Sequence, residues 1–305
     1  MGNRSRQSGG FLTGRTAEAL CLAGPALLGL LLFVAAPFAI ALILSLTNFR
    51  MGTPLETQFV GLEQYRRILG DEAFRRALLN NAVFALVVVP VQTGLALGLA
   101  LLLNRQLRGR VLFRTLFFMP VVFPMALVAV VWQVLLAPGP DGLINSLMGI
   151  LTFGAWTPRD FLRDPQFALP AIMLMSIWQG VGFQMVIMLA GRQAVPEHLY
   201  EAASVEGAGA WRQFLHVTLP GMKNTIFFVV VVTTILAFRL FDQVDILTQG
   251  GPRHATTTVM YEAVRATFAE ARVARAAAMT VVFFLIVVGL ALVQRRLMKE
   301  EREIT

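Results

Sequence analysis

One polar stretch in an otherwise apolar chain decides the fold: residues 201–220, which read EAASVEGAGAWRQFLHVTLP. Pro196 and Glu197 stand just before it and favour the start of a helix. Proline suits the first turn because the N–H groups there have no intrahelical partner, and glutamate suits it because this end of the helix dipole is positive. Gly207 then provides a helix stop. The stretch therefore predicts two short helices joined at a glycine elbow, the second ended by Pro220.

Six apolar runs surround this stretch, and each is long enough to cross a bilayer, for which a helix needs about 20 residues. They are Ala19–Leu46, Leu79–Leu103, Val111–Ala137, Leu169–Gly191, Thr225–Leu247 and Ala274–Val293. Apolar residues make up 56% of the chain and charged residues 14%, a balance typical of polytopic membrane proteins. We expect an all-α protein with a six-helix membrane domain (19–298) between an N-terminal tail (1–18) and a C-terminal tail (299–305).

The residue types exclude several functions. No G-x-x-x-x-G-K-[ST] motif occurs, so the chain has no P-loop for ATP. Its one cysteine and three histidines share no metal-ligand spacing, and no Ser/His/Asp or paired-carboxylate grouping is placed for catalysis. The net charge of +8 suits an anionic membrane surface better than nucleic acid, because no basic-aromatic module accompanies it. We expect no catalytic residue, no metal, no cofactor bound by this chain and no nucleic-acid partner.

The basic residues predict the orientation in the membrane. The compact segment 104–114, where the second run gives way to the third, carries four arginines, and such segments lie in the cytoplasm under the positive-inside rule. They are Arg105, Arg108, Arg110 and Arg114. We therefore expect a multi-pass protein of the bacterial plasma (inner) membrane with both termini, and the polar loop 192–223, in the cytoplasm.

The polar loop also resembles a known family. Glu-Ala-Ala, three residues, Gly, nine residues, an aliphatic residue, one residue and Leu-Pro is similar to the EAA loop of binding-protein-dependent ABC importer permeases. The matching positions are Glu201, Ala202, Ala203, Gly207, Leu219 and Pro220. Val217 stands where isoleucine is commoner, and Glu206 where the family usually has Asp. The resemblance implies that the loop is a coupling helix that docks into a cleft of a cytoplasmic ATPase; the alternative is an amphipathic surface loop.

Shorter segments resemble the carbohydrate-uptake permeases of that family, the maltose and glycerol-3-phosphate type. They are 61–65 (GLEQY), 114–120 (RTLFFMP), 142–145 (GLIN) and 248–252 (TQGGP) with 255–258 (ATTT). Over about 20–298, the resemblance implies the type I (MetI-like) permease fold. It also implies a second homologous permease, two ATPase subunits that bind ATP and Mg, and an extracytoplasmic solute-binding protein, all beside membrane lipid. The implied solutes are sugars, oligosaccharides, polyols and glycerol-phosphate compounds.

Aromatic, amide and charged side chains within the predicted spans are candidates for the solute path. They are Phe123, Trp132, Gln133, Trp178, Gln179, Phe183, Gln184, Arg239 and Asp242. Amides bond hydroxyls, aromatic faces stack on sugar rings, and charges at membrane depth face a bundle interior or an aqueous path. Arg239 and Asp242, three residues apart, are expected to share a helix face and to pair. The alternatives are an interfacial belt for the tryptophans and a structural ion pair or snorkelling arginine for Arg239.

Two other functions remain open at this point. An ion-coupled secondary transporter is expected to show internal repeats and buried carboxylates, and the six runs show no evident repeat. A membrane scaffold would recruit a cytosolic partner through the polar loop without moving a solute.

Overall fold

The computed structural model describes residues 21–54, 56–105, 108–140 and 142–300, with side chains as far as Arg296. The predicted N-terminal tail (1–18) lies outside the described residues, as does 301–305 of the predicted C-terminal tail. Within the described ranges the chain is helical apart from turns, loops and one isolated antiparallel bridge between Thr47 and Phe59. The all-α prediction is therefore confirmed over this part of the chain.

The helices follow one another along the chain with short connections. They are α1 (Cys21–Ser45), α2 (Glu63–Gly70), α3 (Glu72–Asn104), α4 (Arg110–Val122), α5 (Met125–Leu135), α6 (Leu143–Leu151), α7 (Ala168–Gln193), α8 (Glu197–Val205), α9 (Ala210–Phe238), α10 (Asp242–Leu247), α11 (Val259–Phe268) and α12 (Val273–Glu300). Among the described residues, five helices are long and apolar enough to cross a membrane: α1, α3, α7, α9 and α12. A bent pair, α4 and α5, makes the sixth predicted span.

The third predicted span, Val111–Ala137, is not one straight helix, because α4 and α5 meet at 102°. Phe123 lies between them with an extended ψ of 140°, the conformation that a following proline, Pro124, imposes. The Phe123 carbonyl, freed by the break, accepts a hydrogen bond from Gln179 Nε2 at 3.3 Å. A neighbouring helix thus supplies the polar partner that a break in a membrane span needs.

The fifth predicted span, Thr225–Leu247, has the wrong C-terminal boundary. Helix α9 ends at Phe238, and the short helix α10 follows after a break. Inside the break, the Leu240 carbonyl accepts a hydrogen bond from the Thr258 hydroxyl at 2.8 Å. A residue 18 positions later in the chain therefore stabilises a bend that the local sequence does not predict.

The same span begins earlier than expected, because Pro220 does not end a helix. A π-helical segment, Phe214–Thr218, precedes this proline within the continuous helix α9. A proline removes one backbone hydrogen bond and its ring crowds the preceding turn, and a π-helical turn is one way in which a helix relieves that strain. The predicted second short helix is thus the first two turns of α9.

Two buried apolar clusters mark the two ends of the bundle. At one end, Leu103 of α3 and Leu189 of α7 pack with Val195 and with Met222 of α9. We call this the loop end, because loop 192–223 lies there. At the opposite end, called the far end, α2 and the start of α3 pack against α11 and α12. The predicted membrane domain therefore has its polar loop at one end only.

Candidate functional site

The predicted coupling helix is α8, and its end follows a standard stop. The Gly207 N–H donates to the Ser204 carbonyl at 3.0 Å, and the Ala208 N–H donates to the Ala203 carbonyl at 2.8 Å. With Gly207 at a φ of +77°, these are the two bonds of a Schellman motif. The predicted glycine stop is confirmed. Pro196 stands at the N-cap, one position before the first turn in which it was expected.

The exposed side of α8 lies over a groove of about 590 Å³ at the loop end. Ala202 and Ala203 form part of its wall, and Pro220 from α9 forms another part. Glu201 and Gly207 are exposed beside it, whereas Leu219 is only half-buried. Small side chains leave room for a partner to approach the helix backbone closely. Three of the six motif residues, Ala202, Ala203 and Pro220, therefore line this groove.

Tyr200 attaches α8 to the membrane helices on both sides of the loop. Its hydroxyl lies 3.0 Å from the hydroxyl of Thr218, which is the last residue of the π-helical segment. The guanidinium of Arg192, in the last turn of α7, lies 4.0 Å from the centre of the Tyr200 ring. Gln213 adds a second attachment, because its amide donates to Ser204 Oγ at 2.9 Å. These contacts hold α8 against α7 and α9.

A second site is a cavity of about 340 Å³ in the middle of the bundle, here called the amide cavity. Helices α3, α4, α5, α7, α9 and α10 contribute to its wall. Its polar lining residues are Gln92, Ser176, Gln179, Gln184, Thr233, Arg239, Asp242 and Gln243. Amides and hydroxyls at this depth offer both donors and acceptors, and the two charged side chains are of opposite sign.

Five of the nine predicted path residues line the amide cavity: Gln179, Phe183, Gln184, Arg239 and Asp242. Phe123 does not line the cavity, but its carbonyl accepts a hydrogen bond from Gln179. The other three predicted residues lie elsewhere. Trp132 and Trp178 pack against each other with ring centres 5.8 Å apart, and Gln133 lines a separate pocket near the far end.

The predicted pairing of Arg239 with Asp242 is wrong. Arg239 is the C-cap of α9 and Asp242 is the first residue of α10, so they do not share a helix face. Neither side chain forms an ion pair with any other described residue. The helix break between them turns both side chains toward the amide cavity instead.

Four polar residues of the cavity lining were not predicted: Gln92, Ser176, Thr233 and Gln243. Gln92 and Gln243 are buried, and Gln92 reaches Gly180, where an added Cβ would lie 2.1 Å from its amide nitrogen. Thr233 accepts a hydrogen bond from Gln184 Nε2 at 2.6 Å. The sequence signal for these four residues was a polar side chain within an apolar run. That signal does not predict which helices face one another, so it does not identify the residues that share a cavity.

No group of three or more His, Cys, Asp or Glu side chains that could hold a metal ion occurs within the described ranges. Both sites consist of helix surfaces with amide, hydroxyl and charged side chains. They are suited to contact with a partner and to passage of a polar solute.

Fold and sites together define a class: a multi-pass helical membrane protein with a glycine-capped helix on one polar loop. The family model described as "Binding-protein-dependent transport system inner membrane component" matches residues 92–302. The chain belongs to this family: it is a transmembrane permease subunit of an ABC importer, a transport component of the inner membrane rather than an enzyme. This sets aside the secondary-transporter and scaffold alternatives.

Individual relatives support the same assignment. The probable ABC transporter permease protein YurN of Bacillus subtilis (strain 168) is 34% identical, over 90% of this chain and 93% of its own. The sn-glycerol-3-phosphate transport system permease protein UgpA of Yersinia pestis bv. Antiqua (strain Antiqua) is 32% identical, over 81% and 82%. The trehalose/maltose transport system permease protein MalF of Thermococcus litoralis is 36% identical, over 67% and 68%.

A solved structure has the same fold. It is a chain of a bacterial ABC transporter involved in the import of the acidic polysaccharide alginate. Its TM-score is 0.80 at 21% identity, and the match covers 94% of this chain and 96% of that one. The predicted permease fold is confirmed.

Proposed function

We propose that the chain forms half of the translocation pathway for a sugar, oligosaccharide, polyol or glycerol-phosphate-type solute, delivered by an extracytoplasmic binding protein. The observation that carries this proposal is the amide cavity, in which four glutamines, a serine and a threonine meet one arginine and one aspartate. Hydroxyl-rich solutes match such a lining, because each hydroxyl both donates and accepts. With opposite charges in balance, the lining favours an uncharged sugar or polyol within this set. Relatives named for trehalose/maltose and for sn-glycerol-3-phosphate support the broader class.

We further propose that α8 is the coupling helix. A pair of ATPase subunits would bind ATP and Mg, and their closure would displace α8 and, through Tyr200, the ends of α7 and α9. A second homologous permease would complete the pathway. The loop end then faces the cytoplasm with both chain termini, an orientation that the arginines of the 105–114 turn favour.

The coupling proposal is tested with Glu201→Lys and Gly207→Asp. The first reverses a charge on the exposed side of α8, and the second places a side chain where φ is +77°, which strains L residues. Both variants are expected to insert normally but to lose co-purification of the ATPase and solute uptake. Glu56→Lys, at the far end, is the matched control and should behave as wild type. Normal docking and normal uptake in both test variants would contradict the assignment.

The solute proposal is tested by uptake into vesicles with Gln92→Leu, which removes one buried amide from the cavity wall. Loss of one hydrogen bond is expected to raise the KM for a transported sugar by about fivefold. Gln133→Leu, outside the cavity, serves as the control. An unchanged KM in Gln92→Leu, or transport of glycerol phosphate alone in a panel with neutral sugars, would contradict an uncharged solute in this cavity.

A further inference from the structure

A pocket of about 570 Å³ lies at the far end, away from both sites described above. The segment after α1, helix α2 and the start of α12 form its walls. Four arginines and one carboxylate line it: Arg50, Arg67, Arg272, Arg275 and Glu63. We call it the arginine pocket.

Backbone hydrogen bonds hold the walls of this pocket in place. The Met51 N–H donates to the Ala271 carbonyl at 2.9 Å, and the Ala274 N–H donates to the Phe49 carbonyl at 3.1 Å. These bonds join the segment after α1 to the start of α12. The arginines therefore project from a framework that does not depend on a ligand for its shape.

Three of the four arginines already have acidic neighbours, yet the pocket keeps unmatched donors. The ion pairs are Arg67 with Glu63, Arg272 with Glu270 and Arg275 with Asp71. Arg50 forms no ion pair with the described part of the chain.

The second unmatched donor is Nε of Arg275, which is buried and has no hydrogen-bond partner among the described residues. Only 23% of this side chain is exposed. A buried donor without an acceptor is costly. This Nε has almost no exposed surface of its own, so an anion with several oxygens in the pocket would hydrogen-bond Arg50 and be attracted by the charge of Arg275.

We propose that the arginine pocket binds the phosphate headgroup of an anionic phospholipid. Exposed apolar side chains stand in the same segment and on α2, which is the arrangement of a membrane interface. They are Met51 (48% exposed), Phe59 (76%), Leu62 (72%) and Leu69 (55%). From the pocket, exposed aliphatic residues continue along α1 and α12, where acyl chains would lie: Leu42, Ile43 and Leu285. A lipid satisfies the charge and the apolar surface together, and a free anion satisfies only the first.

The test measures lipid retained by the full-length chain purified with its cognate subunits. The assembly is equilibrated in bilayer discs that contain equal amounts of phosphatidylglycerol and phosphatidylcholine, and it is then washed in mild detergent. Native mass spectrometry measures which lipids stay bound. Arg50→Gln is expected to lower the retained ratio of phosphatidylglycerol to phosphatidylcholine by about fivefold, since one arginine near an anionic lipid contributes about that factor. Arg50→Lys should keep most of the preference.

Arg66→Gln is the matched control, because Arg66 is exposed on α2 but does not line the pocket. It should retain the wild-type lipid ratio. Equal losses in Arg66→Gln and Arg50→Gln, or no loss in Arg50→Gln, would overturn the proposal. Displacement of the lipid by glycerol phosphate alone would instead assign the pocket to a free anion. If Arg50→Gln left the lipid ratio unchanged but weakened the stimulation of ATP hydrolysis by the binding protein, the pocket would be assigned to an acidic protein surface, which also overturns the proposal.

Discussion

The contact between α4 and α7 provides the sharpest test of the packing. An ideal Cβ on Gly182 would lie 1.8 Å from the carbonyl oxygen of Phe117, whereas ordinary contact begins at 3.4 Å. Gly182→Ala therefore requires the two helices to separate by about 1.6 Å. Because the obstacle is backbone, no side chain can rotate away. Overpacking of this kind costs about 1–3 kcal/mol, and the alanine returns about 1 kcal/mol of helix propensity.

We expect Gly182→Ala to be destabilised by up to about 2 kcal/mol net. The matched control is Gly289→Ala on α12, where an added Cβ meets nothing within 4 Å and helix propensity alone acts. Thermal denaturation of the detergent-solubilised chain, followed by size-exclusion chromatography, compares the two variants. A Gly182→Ala protein as stable as Gly289→Ala would refute the close approach of α4 to α7.

Two further predictions concern the loop end. Ser204→Cys in a Cys21→Ala background should react with a membrane-impermeant thiol reagent only in inside-out vesicles, and labelling of intact spheroplasts would reverse the proposed orientation. Tyr200→Phe keeps the ring against Arg192 but removes the hydroxyl contact with Thr218. It should lower solute uptake per ATP hydrolysed while the ATPase still co-purifies; an unchanged ratio would show that this contact does not transmit motion.

Helix α8 was predictable because its signals are local. The Gly207 stop needs hydrogen bonds only to residues three and five positions earlier, so a short stretch of sequence contains every partner. The apolar runs were equally predictable from sequence, since membrane thickness sets the length of a span wherever it packs. The exact ends of the helices were harder to predict, because α9 continues through Pro220.

The bends were not predictable in the same way. Prolines occur both within intact membrane helices and at breaks; α3 continues through Pro90, whereas the chain bends between α4 and α5, beside Pro124. At the end of α9 there is neither proline nor glycine, and the break is stabilised by Thr258 from another segment. The expected pair of Arg239 and Asp242 failed for this reason.

By itself, the sequence determined the helical membrane class, the number of apolar segments, and the place of α8 with its stop at Gly207. Each of these follows from hydrophobic length or from hydrogen bonds between near neighbours in the chain. Only the tertiary structure decided that Gln92 of α3 and Gln243 of α10 meet Gln179 of α7 around one cavity. In an apolar solvent, hydropathy does not distinguish a lipid-facing side from a helix-facing one, because both are apolar. Which polar side chains converge therefore depends on where the helices bend and how closely their backbones pack.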